Sequence, residues 1–206
     1  MKLTEMVTEV RSQLAEPVET VDPFWTDTEI KSWINEGYKQ FCMATKIVKD
    51  MFIKTVAIGI KEKSIETEFV QIDRIEWKNA AGDVTELLPM PIEDVDFSSD
   101  AESGIPVNYY LRSGNVIGIE PTTDAAGTLQ LYFSYIPAVL GDNDSPLFPS
   151  MFHNALVEFA LWKARIKYKD QLYIEHKTNF RDLIIAAVKQ TGMLKKKTTG
   201  IRPRIR

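Results

Sequence analysis

The spacing of the apolar residues changes twice along this chain, and that change limits what it can fold into. Leu3, Met6, Val7, Val10 and Leu14 recur at helical spacing and form one apolar stripe. Ile30, Trp33, Ile34, Tyr38 and Phe41 do the same further on. From Met51 the repeat shortens to two. In FIKTVAIGI, Phe52, Lys54, Val56, Ile58 and Ile60 alternate with Ile53, Thr55, Ala57 and Gly59, and β-branched residues dominate. A helical spacing returns near Pro149. Side chains repeat every 3.6 residues on a helix and every two on a strand, so no segment can satisfy both. The order is helix–helix, strands, helix–helix, which reads as an α+β fold: a bundle of about four helices with an inserted antiparallel β-domain and an extended C-terminal tail. The expected boundaries are 1–50 and 147–192 for the bundle, 51–146 for the insert and 193–206 for the tail.

Local signals place the elements. The first helix covers Leu3 to Leu14 and ends before Pro17. Thr26-Asp27-Thr28-Glu29 is a capping box, in which the hydroxyl and the carboxylate each satisfy a free backbone N–H of the first turn. The helix behind it is expected to reach about Ile47. Phe24 and Trp25, just before the cap, can staple the entering chain. Further strands are expected at Glu68–Trp77, Val84–Pro89, Asn108–Arg112, Asn115–Glu120 and Thr128–Ile136. Ser113-Gly114-Asn115 supplies a hairpin turn. Such strands imply a small sheet or sandwich. Pro91–Ile105 is acidic, lacks a pattern and reads as a long loop. A third helix begins near Pro149, a residue suited to a first turn. A break at Lys169-Asp170 leads to a fourth helix, 171–191, with Gly192 as its stop. The last two helices are expected to pair as an antiparallel hairpin.

Composition is ordinary for a soluble globular protein, with 44% hydrophobic and 26% charged residues. No apolar run is long enough to cross a membrane. The opening MKLTEMVTEV, with Glu5 and Glu9, does not read as a signal peptide. The single cysteine, Cys42, cannot form an intramolecular disulfide, and the expectation is an intracellular start.

Candidate chemistry is sparse. The two histidines, His153 and His176, lie on the last two helices and could meet if those helices pair, but no cysteine or HExxH spacing supports a metal. Cys42 follows core-facing Phe41 and reads as a buried thiol. The run DNDS at 142–145 begins like a calcium loop, yet Leu147 stands at the place of the central glycine and His153 at that of the bidentate glutamate. GIEPTTDAAGT lacks the lysine of a phosphate-binding loop. Asp94 and Asp96 lie in the patternless loop with no framework for acid–base work. Trp25, Trp33, Trp77 and Trp162 read as core or interface. No cofactor, metal or catalytic site is expected, and the chain is not read as an enzyme.

Charge is distributed unevenly. The chain has 25 basic and 29 acidic residues; Lys195 to Arg206 hold six of the basic ones and no acid, which leaves 19 against 29, or −10, on the other 194 residues. A tail carrying Lys195, Lys196, Lys197, Ile201, Arg202, Pro203, Arg204, Ile205 and Arg206 has three readings. It can be a solvated end. It can be the arm of a nucleic-acid-binding accessory protein, although it has no aromatic to stack on bases and the acidic body opposes phosphates. It can be an extended docking peptide, with isoleucines in pockets and arginines on acids of a protein groove.

DPFWTDTEIKSWINEGYKQF resembles the opening of phage head-to-tail adaptor proteins, in which an aromatic-[ST]-D-x-E-[IL] cap precedes a helix carrying xxINEGxxxF. YYLRSGNVIGIEPTTDAAGTLQLYFSYIPAVLGDNDSPLFPSMFHNALVEFALWKA is similar to the same proteins, through a GNxIxIxPxP…AGTLxLxYxxxP region and a helix with ALVxxALxxA; Thr123 stands where a proline is common. The resemblance covers Met1 to about Thr191. It implies a structural protein of the virion neck, made in the host bacterial cytoplasm. The protein would form a ring, a dodecamer, of its own copies beneath the portal. Its partners would be the portal protein and tail, nozzle or tail-tube proteins, and genomic DNA would pass through the lumen. The C-terminal segment from Lys195 would dock on the portal.

Overall fold

A computed structural model describes residues 1–15, 24–65, 69–98, 103–112 and 116–198, with side chains described as far as 192. The chain divides into two compact units, with breaks at Val48/Lys49 and at Tyr135/Ile136.

The helical unit holds α1 (Leu3–Gln13), α2 (Asp27–Thr45), α3 (Asn154–Lys167) and α4 (Tyr173–Thr198). The α1 stripe is buried at Leu3, Met6, Val7 and Val10. The Thr26–Glu29 capping box forms at the start of α2: Glu29 N–H donates to Thr26 Oγ1 at 3.2 Å, and Thr26 N–H donates to Glu29 Oε2 at 3.1 Å. Trp25 carries the aromatic packing before the cap, donating from Nε1 to the Ala164 carbonyl at 3.3 Å, while Phe24 stays half exposed, edge-on to it. The helix α2 ends at Thr45, two residues before the expected Ile47, because Lys46 turns into the left-handed region at φ 52°. A 3-10 turn, Ser150–Phe152, precedes α3, so the Pro149 signal opens a 3-10 turn and the α-helix follows it. Helix α3 packs against α1, α2 and α4 and lies at the centre of the unit.

Helix α4 departs from expectation at its end. It runs straight through Gly192 to Thr198. Glycine costs about 1 kcal/mol within a helix, but a stop also needs the following chain to leave helical geometry. Met193, Leu194 and the three lysines are strong helix formers and continue it. Lys195, Lys196 and Lys197 therefore lie on helical backbone, which corrects the extended tail expected from 193. The remaining tail residues, Ile201, Arg202, Pro203, Arg204, Ile205 and Arg206, lie outside the described residues.

Among the described residues the second unit contains nine strands: β1 (Lys49–Val56), β2 (Glu62–Ser64), β3 (Gln71–Asn79), β4 (Val84–Pro89), β5 (Ser103–Gly104), β6 (Asn108–Arg112), β7 (Val116–Glu120), β8 (Thr122–Thr123) and β9 (Gly127–Ser134). Seven form one sheet in the order β1-β9-β3-β4-β6-β7-β2, and β5 pairs with β8. The pairs are antiparallel except β4–β6 and β5–β8. Residues 113–115, expected as a hairpin turn, lie outside the described residues, but the flanking β6 and β7 pair from Asn108↔Glu120 to Arg112↔Val116. The first strand ends at Val56 although the alternation continues to Ile60. Gly59, at φ +73°, turns the chain there, and Ile58 is exposed. The expected loop at Pro91–Ile105 contains a 3-10 turn at Ile92–Asp94 and the two residues of β5. Val56, Ile75, Trp77, Leu87, Ile117, Ile119, Leu129, Leu131 and Phe133 form the core of the unit.

Candidate functional site

The motif residues of α2 hold the helical unit together, one function per residue. Ile34 is fully buried. Asn35 clamps the backbone of Leu140 on both sides, accepting from its N–H at 2.7 Å and donating to its carbonyl at 3.4 Å. Glu36 accepts from Lys163 Nζ at 2.9 Å. Gly37 leaves room for a ring: a Cβ there would stand 2.9 Å from Phe159 Cβ. Tyr38 Oη accepts from Leu147 N–H at 3.0 Å. Two glycines of the β-unit act similarly. A Cβ on Gly118 would meet the Tyr110 ring at 1.9 Å, and one on Gly127 would meet the Trp77 ring at 2.4 Å. Three glycines thus seat three buried aromatic rings.

The run that begins like a calcium loop has a structural use. The backbone carbonyls of Asp142 and Asp144 accept from Thr4 N–H at 3.3 Å and Leu3 N–H at 3.0 Å, capping the free donors of α1. Asp144 Oδ2 accepts from Gly141 N–H at 2.7 Å, and Asp142 pairs with Lys31 at 2.6 Å.

The histidines have separate partners. His153 Nε2 lies 3.0 Å from the Phe148 carbonyl and Nδ1 lies 2.8 Å from the Met1 amino group. A carbonyl can only accept and an ammonium can only donate, so His153 is neutral with its proton on Nε2. Burial pushes its pKa down, against the opposing pull of the Phe148 hydrogen bond. His176 Nδ1 lies 2.9 Å from Glu158 Oε2, which also accepts from Asn179 at 3.2 Å. Cys42 is buried, and desolvation pushes its thiol up to about 12, far from a nucleophile's range.

Asp96 accepts from Ser98 N–H at 2.8 Å, the main cause of its lowered pKa, and Asp94 closes the 3-10 turn. Burial, followed by its hydrogen bond to Glu62, raises the Tyr110 pKa. Among the described residues no group of three or more His, Cys, Asp or Glu could hold a metal ion. No described helix is long and apolar enough to cross a membrane. Of the four tryptophans, Trp77 lies in the sheet core, and Trp162 packs edge-on to Phe159 with Lys163 and Lys177 over its ring.

What remains prominent is uncovered apolar surface on the helical unit. On α4, Ile174, Ile185 and Val188 are 44–57% exposed and share a face at helical spacing. Around α2 and the turn before α3, Val139, Leu147 and Met151 are 62–78% exposed. Leu172, just before α4, is exposed as well. The signal that could have marked this surface is the run LIIAAV at 183–188, too apolar for a helix that buries only one face.

No curated protein matches this chain. The packing motifs that carry the resemblance, with a helical frame split by a β-unit, agree with a match of residues 1–202 to the family model of the SU10 adaptor protein, and the chain therefore belongs to that family of phage head-to-tail adaptors.

Proposed function

We propose that this protein is a structural, non-enzymatic component of the virion neck that forms a ring beneath the portal and joins it to the tail or nozzle. The observation that carries this reading is the family match over residues 1–202. The structural use of Ile34, Asn35, Glu36 and Gly37 supports it, because such residues build a frame rather than a reaction centre. In this reading DNA passes through the lumen of the ring without sequence-specific binding. The two units are a helical domain and an inserted β-domain, and the segment from Lys195 to Arg206 docks on the portal. Since α4 reaches Thr198, the lysines are presented on a helix and Ile201–Arg206 supply the grip. Ordering that segment costs conformational entropy, which repetition around a ring offsets through avidity.

The test is portal binding by a chain that ends after Thr198, compared with the full chain and with the Ile201→Ser/Ile205→Ser double variant. The expected result is folded protein in all three cases, with portal binding lost in the truncation and weakened in the double variant. Equal portal binding by the truncated chain would remove the docking role. Salt-sensitive binding to duplex DNA through the tail would instead support a nucleic-acid accessory role.

A further inference from the structure

The antiparallel pairing of α3 and α4 fixes their relative length. Phe180 packs against Phe159 and Trp162, and Asn179 bonds Glu158. Asn154, the first residue of α3, shares a surface hollow with Leu183. At 1.5 Å per residue, α3 with 14 residues spans about 21 Å and α4 with 26 residues about 39 Å. From Ile185 onward α4 therefore runs past the start of α3. Among its described side chains only Phe180 and Ala187 are buried, two positions seven apart that mark one inward stripe. Ile185 and Val188 form an apolar patch on the opposite face, with Ile174 on the same side beyond Arg181, and the described part of the chain leaves it open.

We infer that the outer face of α4 around Ile185 and Val188 is the contact through which one copy of this chain holds the next, and that it docks on the neighbour's Val139–Leu147 surface. This inference rests on the ring reading above. Two observations choose this occupant. Arg181 and Lys189, with one acid, Asp182, line the α4 face, whereas Val139 and Leu147 flank a loop that carries exposed Asp144 and Asp142, the latter paired with Lys31. The first patch is net positive and the second net negative, so unlike patches attract. Two different patches on one helical unit make a head-to-tail contact, the type that generates rings when the rotation closes.

The experiment is crosslinking in the full-length chain assembled with portals, using a short bis-maleimide on Ile185→Cys, on Leu147→Cys and on the double variant. Cys42 is buried and stays silent. The expected result is a ladder of dimers, trimers and larger species from the double variant only. A simple dimer from Ile185→Cys alone would show a symmetric α4–α4 contact and overturn the inference. Rings visible by electron microscopy without a ladder would overturn it and leave the ring reading standing. Failure of the parent chain to associate at all would remove the ring reading and this inference with it. As an independent arm, Ile185→Glu/Val188→Glu is expected to melt like the parent chain and to assemble at least about tenfold less well. Unimpaired assembly of that variant counts against the inference.

Discussion

Helices α3 and α4 lie side by side, both rich in apolar residues, and the molecule uses them in opposite ways. From Ala155 to Leu161 every side chain of α3 is buried, Glu158 included, and Ala164 follows one turn later. The inward stripe of α4 is narrow, and a second stripe faces outward. The reason is position. Helix α3 has α1, α2 and α4 around it, so from Ala155 to Leu161 every face finds a partner within the chain. Helix α4 is at the edge of the unit and runs past α3, so part of its apolar surface finds none among the described residues. Apolar content sets how much surface a helix must cover, and the neighbours decide whether its own chain does the covering.

The largest expected effect is in the saturated helix. Phe159→Ala removes a ring packed on Phe180, Trp162 and Gly37, and a loss of about 3–5 kcal/mol is expected in urea unfolding. A loss below about 1 kcal/mol would show that α3 is not the centre of the unit. Next is the close approach of α2 to α3. Gly37→Ala places a methyl 2.9 Å from Phe159 Cβ, an atom fixed to the backbone. Overpacking of about 1–3 kcal/mol exceeds or matches the gain of about 1 kcal/mol in helix propensity, so a lower melting temperature is expected. A raised one would mean that the helices separate freely.

Glu29→Gln is expected to be milder. It weakens the capping box and the 2.8 Å pair with Lys167, the hydrogen bond that does most to lower the Glu29 pKa. About 1 kcal/mol is expected, read by thermal denaturation at neutral pH. The pH effect of His153 is smaller still and has a definite sign. Its folded pKa lies below the unfolded value of about 6.5, so the unfolded chain binds the proton more readily. The stability that depends on neutral His153 is full above about 6.5 and is lost as pH falls through the lower folded pKa. The parent chain should melt lower at pH 5.5 than at pH 8, and His153→Gln should show a flatter dependence. An identical slope in both would remove His153 as the cause. The outward stripe of α4 completes the comparison, since charges at Ile185 and Val188 should leave melting within about 0.5 kcal/mol of the parent.

Much of this was legible in the sequence because it depends on neighbours in the chain. The Thr26–Glu29 capping box requires four consecutive residues. The strands Val84–Pro89 and Asn108–Arg112 fall where they are expected, the second just before the Ser113-Gly114-Asn115 turn signal. Misreadings occurred where a local signal was overruled. Gly192 is a stop only if the following residues leave the helix, and they are helix formers. The alternation to Ile60 was interrupted at Gly59 by a turn whose N–H donates to the Thr123 carbonyl at 2.9 Å, 64 positions along the chain. The candidate surface was hidden for the same reason. LIIAAV reads as core until the length of α3 shows that the core ends first.

The kinds of element, their order and the family follow from hydrophobic period, caps and turn residues, which are local properties of the chain. Long-range packing settled that β1 pairs with β9, that β4 runs parallel to β6, and that Gly37, Gly118 and Gly127 each make room for an aromatic ring. It also decided that α3 is enclosed while α4 keeps an open apolar face. These are contacts between residues far apart in the chain, and burial depends on which surfaces meet.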